Sequence, residues 1–362
     1  MSDWKRTTIG DVLTLQRGFD ITRASQRPGN VPVVSSGGIG SYHDTAAVEG
    51  PGVVIGRKGT LGNVFYLDHP YWPHDTTLWV KDFKGSFPRF VYYFFKQLDV
   101  SGLDVGSANP TLNRNHVHPI MILWPSRPEQ QAIAAMLGAL DDKISVNELI
   151  ARIGQELAGA YLVSMLSPVQ DVPLADIADI TMGSSPPGDT YNDSGLGLPF
   201  YQGTKNFGSW FPSRRVWCSQ PVRIARSDET LLSVRAPVGR VNRAWEECCI
   251  GRGLAALSTK TGTPSVLFHL LLELPDRWLP YESEGTVFGA VNKNQISTVM
   301  VPSTSGDKAQ RLEDLLRPLD ERVMRVFVEN ETLAELRDTL LPKLMSGQLR
   351  IKDAERLVED AV

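Results

Sequence analysis

Cysteine is scarce. The chain has 362 residues and three cysteines, Cys218, Cys248 and Cys249. They are too few and too unevenly spaced for a disulfide framework or a zinc site, so they read as reduced thiols. No apolar run approaches the ~20 residues that a membrane helix needs. The opening MSDWKRTTIG lacks the apolar core of a secretion signal. A cytoplasmic protein with no membrane partner is expected. A surplus of positive charge is also missing: 37 Lys and Arg stand against 41 Asp and Glu, a net charge of −4. That argues against a protein that merely coats nucleic acid. The acidity is concentrated, since residues 126–168 carry 3 cations against 5 anions and residues 304–362 carry 10 against 13. The other two segments retain enough cations for a local basic face.

Catalytic signatures are absent as well. There is no Asn/Asp-Pro-Pro-Tyr/Phe run for methylating a base amine; SSPPGD (Ser184–Asp189) is not one. No G-x-G-x-x-G opens a helix after a strand, and neither G-x-S-x-G nor H-E-x-x-H occurs. GVVIGRKGTLGNV (Gly52–Val64) resembles a phosphate loop only in composition. If Gly56 were the second glycine, Pro51 would stand at the first and Arg57 at the lysine. His116 and His118 would share one strand face, but no third metal ligand accompanies them. No catalytic residue, metal site or cofactor is expected in this chain.

What is present is an internal duplication. IGDVLTLQRG (Ile9–Gly18) matches LADIADITMG (Leu174–Gly183), and VPVVSS (Val31–Ser36) matches LPFYQG (Leu198–Gly203). VVIGRKGTLGNV has its partner in LLSVRAPVGRV (Leu231–Val241), with Lys58 on Arg235 and Gly62 on Gly239. FPRFVYYFFKQL (Phe87–Leu98) pairs with TPSVLFHLLLEL (Thr263–Leu274), and GSANPTLNRNHV (Gly106–Val117) with GTVFGAVNKNQI (Gly285–Ile296). LDDKI (Leu140–Ile144) pairs with LDERV (Leu319–Val323). The order is kept at spacings of roughly 165–179 residues.

Each half opens with short apolar runs broken by Gly, Pro, Asn and Ser. GVVIG, TTLWV, PIMILW and TVMVP read as strands, and Phe87–Leu98 and Ser265–Leu274 as one packed helix each. A long helix follows in each half, from Glu129 to about Leu166 and from about Asp307 to Met345. Leu312, Leu316, Leu319, Val323, Val326, Asn330, Leu333, Leu340 and Leu344 form a seam that Arg337 interrupts. Pro318 and Pro342 predict a kink or a broken first turn. The first helix has the corresponding ladder Ile133, Leu137, Leu140, Ile144, Asn147, Ala151, Gly154, Ala158, Tyr161 and Met165. A rod of about 38 residues and roughly 57 Å cannot stand alone on one seam. The two helices are therefore expected to pack antiparallel. Asn147 and Asn330 on the seam read either as a tolerated polar break or as a register-fixing pair. The fold class is α+β: two mixed α/β, mostly β globules in tandem, each followed by a long helix. The expected segments are 1–126, 127–168, 169–304, 305–350 and a tail, 351–362.

The candidates for nucleic-acid contact fall in matched places. Arg57, Lys58 and Thr60 lie in one tight turn, and Arg235, Arg240 and Arg243 in its copy. Such cations suit phosphates or guanine edges, or simply a solvated hairpin. Asn113, Arg114 and Asn115 match Asn292, Lys293 and Asn294. Asn pairs with adenine edges, but Asn-rich turns also cap helices and strands. YQGTKNFGSWFPSRR (Tyr201–Arg215) interleaves Lys205, Asn206, Arg214 and Arg215 with aromatics, as a nucleic-acid surface or an ordinary loop would.

The tandem plan resembles the specificity subunit of type I restriction-modification systems. PSRPEQQAIAAMLGALDDKI (Pro125–Ile144) is similar to the start of that family's central spacer, and LRDTLLPKLMSGQLRI (Leu336–Ile351) to the end of its distal spacer. VPVVSSGGIGSY, GRKGTLGNV and SVRAPVGRV are similar to its target-recognition elements. STSGDKAQRLEDLL lacks the usual Pro-x-x-x-Glu-Gln opening. The resemblance implies a non-catalytic chain in which segments 1–126 and 169–304 each read half of a bipartite, asymmetric double-stranded DNA target. It implies that the helices set the gap and dock two methyltransferase subunits, with Leu140, Ile144, Leu319 and Val323 as partner-binding candidates. S-adenosylmethionine would come with those subunits, and ATP and magnesium with a restriction subunit. Two other readings compete: an enzyme modifying nucleic acid by itself, which the missing motifs disfavour, and a coiled-coil scaffold without base readout.

Overall fold

The computed structural model describes residues 4–100, 111–165, 170–282, 289–303 and 306–359. The chain divides into two compact units, Met1–Ser145 with Glu331–Val362, and Val146–Asn330. The division falls within both long helices, Arg127–Met165 and Asp307–Met345, each 39 residues. The end of the first at Leu166, and the Gly106–Pro110 and Gly285–Phe288 parts of the repeat, lie outside the described residues.

The first unit is built on a four-stranded antiparallel sheet in the order Thr14–Arg17, Thr77–Asp82, Gly52–Gly56, Val64–Leu67. Gly52–Gly56 is buried throughout, which explains why it reads as an unbroken apolar run. Beside it, Val31–Ser35 pairs antiparallel with Gly38–His43 and parallel with Trp72–Pro73. Lys5–Thr8 pairs with Met121–Trp124. The second unit repeats the plan. Ala178–Met182, Leu254–Thr259, Thr230–Ser233 and Val241–Arg243 form its four-stranded sheet. Leu198–Tyr201 runs parallel to Cys248–Ile250, and Asp171–Pro173 pairs with Met300–Pro302. The duplication read from the sequence is thus a duplication of strand order. All three cysteines are buried in the second unit. Among the described residues no helix is long and apolar enough to cross a membrane.

A short helix joins each sheet to the long helices: Pro88–Gln97 in the first unit and Pro264–Leu272 in the second. Both start with proline, whose missing N–H costs nothing there. Their N-termini are capped by side chains of the long helices. Phe87 N–H donates to Gln130 Oε1 (2.8 Å), and Val266 N–H to Glu313 Oε2 (3.0 Å). The sixth residue of each helix meets an aspartate. Tyr93 OH donates to Asp141 Oδ2 (2.5 Å), and His269 Nε2 bonds Asp320 Oδ1 (2.7 Å). Asp320 also pairs with Arg243. Burial pushes the Asp320 carboxyl up, but the His269 hydrogen bond and the His269 and Arg243 charges outweigh it and hold it below its ordinary value. The LDDKI and LDERV repeat is this junction.

The first long helix begins at Arg127. Ser126 N–H donates to Glu129 Oε2 (3.1 Å), a side-chain cap that satisfies the chain just before the first turn. Of the expected kink or broken first turn, the second helix shows no break: it is continuous through Pro318 and Pro342. Each proline removes one intrahelical bond, while the neighbouring Leu316, Asp320, Leu340, Leu341 and Leu344 are buried and keep both stretches packed. The segment after residue 350 is not a bare tail: Ile351–Glu359 is a helix with Ala354 fully buried.

In the second unit Asn147 Nδ2 donates to Asn330 Oδ1 (2.9 Å) and Glu329 Oε2 (2.8 Å). A Cβ on Gly154 would meet Val323 Cγ2 at 2.8 Å. As one residue number rises its partner's falls, so the pair is antiparallel. In the first unit Arg337 does not break the seam but bonds Asp141 (2.8 Å). The helices spend their seam on each other. Leu140 and Val323 are buried in their own unit's core, and Ile144 and Leu319 are half-buried against it. This corrects Leu140 and Val323 as partner-binding residues, since they are covered internally, while Ile144 and Leu319 keep part of their surface.

Asn147 is fully buried, and its amide reaches across the seam, which favours the register-fixing reading. Asn147→Ala removes two donors from partly buried acceptors. It should cost about 1–3 kcal/mol, read as a lower thermal midpoint. The N147L/N330L double variant should melt higher than N147A, because Asn330 is then no longer left unpaired and only the half-buried Glu329 carboxylate loses a donor. An N147A chain melting like the native one would show the bond to be idle.

Candidate nucleic-acid interface

Each unit carries a turn that leaves its four-stranded sheet and returns to it. In the first unit Gly56 N–H donates to Asn63 O (2.7 Å) and Gly62 N–H to Gly56 O (3.1 Å). In the second, Ser233 N–H donates to Arg240 O (2.8 Å) and Gly239 N–H to Ser233 O (3.0 Å). Gly62 and Gly239 stand at φ of 76° and 83°, the left-handed region where glycine fits without strain. The turns are held from the side in the same way. Arg57 N–H donates to Thr76 O and Val234 N–H to Gly253 O, both at 2.9 Å. Leu112 N–H donates to Arg57 O (2.9 Å) and Val291 N–H to Val234 O (3.0 Å). Lys58 bridges Thr111, and Arg235 bridges Ala290.

Two residues beyond each bridge stands an asparagine that starts a short helix, Arg114–Val117 or Lys293–Thr298. Each unit therefore sets a cationic turn beside the entrance to a short helix. In the second unit the Thr204–Asn206 turn joins the same edge. It follows Gln202, whose carbonyl accepts from Gly253 N–H (3.1 Å). Lys58, Thr60, Arg114, Asn115, Lys205, Arg235, Arg240, Lys293 and Asn294 are all exposed. They form a set of donors with their heads toward solvent.

The remaining candidates have partners inside the chain, and the structure corrects one of them, Arg243. Asn113 Oδ1 accepts from Asn115 N–H and Asn292 Oδ1 from Gln295 N–H, both at 3.0 Å. These are caps, because an Asn carbonyl one turn ahead of a free N–H is satisfied there. Asn206 Nδ2 donates to Ser213 O (3.1 Å). Arg57 is half-buried and donates to Asp75 O (3.3 Å). Arg214 forks onto Glu246 (2.6 and 2.7 Å) and lies over the Trp245 ring at 4.2 Å. Arg243 is buried, and pairs with Asp228 (3.1 Å) and Asp320. No phosphate reaches it there. Sequence reading missed Tyr93 and His269, whose signal was the repeated aspartate they bind.

His116 and His118 do not share a strand. His116 lies on the Arg114–Val117 helix, and His118 ends it. Among the described residues no group of three or more His, Cys, Asp or Glu could hold a metal ion.

Residues 1–155 match the type I restriction modification DNA specificity domain family. They belong to it. The MjaX specificity subunit of a type I restriction enzyme from Methanocaldococcus jannaschii is 26% identical over 266 residues, covering 67% of this chain and 62% of that protein. The chain thus spans less than two thirds of that relative's length. The MjaIX specificity subunit of the same organism is 23% identical over 314 residues, with 74% and 71% covered. A solved type I S subunit from M. genitalium has a TM-score of 0.73 at 17% identity, over 95% of this chain and 96% of that one. That neighbour shares the fold. In its matched domain, its relatives and its fold, the chain is similar to type I specificity subunits.

His118 Nε2 accepts from Leu15 N–H (3.0 Å), which requires a neutral ring. Burial, then the nearby charges of Arg114 and Lys84, lower its pKa below the ordinary 6.5. The unfolded chain therefore binds this proton more readily. The stabilisation is complete above that ordinary value and is lost as pH falls through it toward the lower folded value. The native chain should lose thermal stability between pH 7.5 and 5.5, and a His118→Gln chain should lose less. Equal losses would exclude His118 as the group responsible.

Proposed function

We propose that this specificity subunit reads a bipartite DNA target, each unit taking one half, and leaves all chemistry to other polypeptides. The observation that carries this reading is the pair of equivalent turns. One backbone frame, built twice, presents different donors: Lys58, Arg114 and Asn115 in one unit, Arg235, Arg240, Lys293 and Asn294 in the other. A frame held constant while its exposed polar side chains vary is what reading two different sequences requires. The target is accordingly asymmetric. Segments 1–126 and 169–304 act as the recognition domains, and 127–168 and 305–350 as spacers.

Methyltransferase subunits, carrying S-adenosylmethionine, dock on the spacers. With the seam turned inward, the surface left for them is the exposed row Val146, Leu149, Ile153 and Leu157 on the first long helix. Its spacing of three and four keeps the row on one helical face. A restriction subunit, using ATP and magnesium, joins the assembly for cleavage.

The reading is tested by mapping methylated adenines in cells carrying the system with altered chains. Replacing residues 1–125 with another recognition domain should change one half of the methylated sequence and leave the other intact. K58A and R235A should each weaken DNA binding by the full chain and lower its salt dependence by about one released counterion. Unchanged sites after the replacement, or unchanged binding in both variants, would leave a scaffold without base readout.

A further inference from the structure

The strand Gly38–His43 carries two large apolar side chains in solvent, Ile39 at 50% and Tyr42 at 54% exposure. In a regular strand, residues three apart face opposite sides. Here they do not. Ile39 pairs with Val34 and Tyr42 with Pro32, while Ser41 pairs with Val33, so Gly40 is left over as a bulge. Val34 and Pro32 are two apart and share a face, and the bulge therefore sets Ile39 and Tyr42 on one face. Bulges re-aim side chains in this way next to functional surfaces.

This hairpin is part of the same edge as the cationic turn. Asn63 Nδ2 donates to Ser36 O, and Ser36 N–H to Thr76 Oγ1, each at 3.3 Å. Thr76 O in turn receives the N–H groups of Arg57 and Lys58. Arg23 is exposed, with one guanidinium nitrogen on Gly40 O (2.9 Å). Nothing inside the chain requires glycine at Gly37, where a Cβ would meet no atom within 4 Å. In the second unit Gly203, which matches the neighbouring Ser36, is equally open at an extended φ of −174°. Bare main chain beside a cationic turn suits the close approach of a large external surface.

We propose that Ile39 and Tyr42 are specificity-determining residues of the first unit, making apolar contact with thymine methyl groups in the major groove. The apolar pair supplies what the cationic turn cannot, since the thymine methyl is the one hydrophobic mark on a base edge. Lys58 and Arg23 flank it for phosphate. The proposal rests on the DNA reading given above.

The test uses the full chain and duplexes carrying the mapped target. Thymines in the half assigned to the first unit are replaced by uracil, which removes only the methyl. The native chain should bind the uracil duplex more weakly, by about fourfold per contacted methyl. The I39A/Y42A chain should bind the thymine duplex more weakly by a similar factor and no longer distinguish the two. A native chain indifferent to uracil overturns the proposal, as does a variant that still discriminates, or one whose only loss is assembly with methyltransferase subunits. The native-chain comparison decides even if the variant folds poorly. Should K58A and R235A also leave binding unchanged, the DNA reading itself falls. Should they act while Ile39 and Tyr42 do not, only this assignment falls.

Discussion

Each half of this molecule depends on one carboxylate. Asp141 and Asp320 stand at matched places on the two long helices, and each binds the sixth residue of a short helix rooted in the neighbouring sheet. The bond fixes how a β-rich unit sits on the helix that passes it. In the first unit the donor is a phenol whose ionisation is opposed by burial and by the aspartate. In the second it is an imidazole, with Arg243 completing a buried cluster. A buried charge set of this kind contributes little net stability, yet losing one member is costly. Its worth here is geometric: the sheet edge inherits its orientation from the carboxylate.

From that orientation follows the rest of the interface. The turn, the bridging strand and the capped short helix recur with the same backbone bonds in both units, although few of their side chains agree. Arg57 corresponds to Val234, Thr111 to Ala290 and Thr76 to Gly253. Structure conserved between two copies while polar surface diverges points to a frame under one demand and a face under two. The proposed reading of two different half-sites makes sense of this.

Much of this was legible in the sequence. The duplication, the strands at GVVIG, TTLWV, PIMILW and TVMVP, and both long helices follow from turn residues and apolar period alone. What was not legible concerned residues with two uses. Asn113 and Asn292 suit an adenine edge and a helix cap equally, and only the position of a free N–H decides between them. Arg243 looked like a surface cation because its counter-charge, Asp320, is distant in sequence. Leu140 and Val323 show an apolar stripe without saying whether its cover is internal. Pro318 and Pro342 read as breaks because local propensity cannot register the burial on either side of them. Gly40 and the register shift it brings are invisible until the pairing partners are known.

The three thiols carry a separate consequence. Cys218, Cys248 and Cys249 are fully buried, all in the second unit, and burial pushes the Cys249 thiol up to about 11. A protonated, enclosed thiol is inert toward alkylating reagents. The rate at which such a reagent marks the native chain is therefore a clock for local opening of that unit alone. The other unit holds no sulfhydryl to confuse the signal, so the second unit can be timed by itself without adding a label.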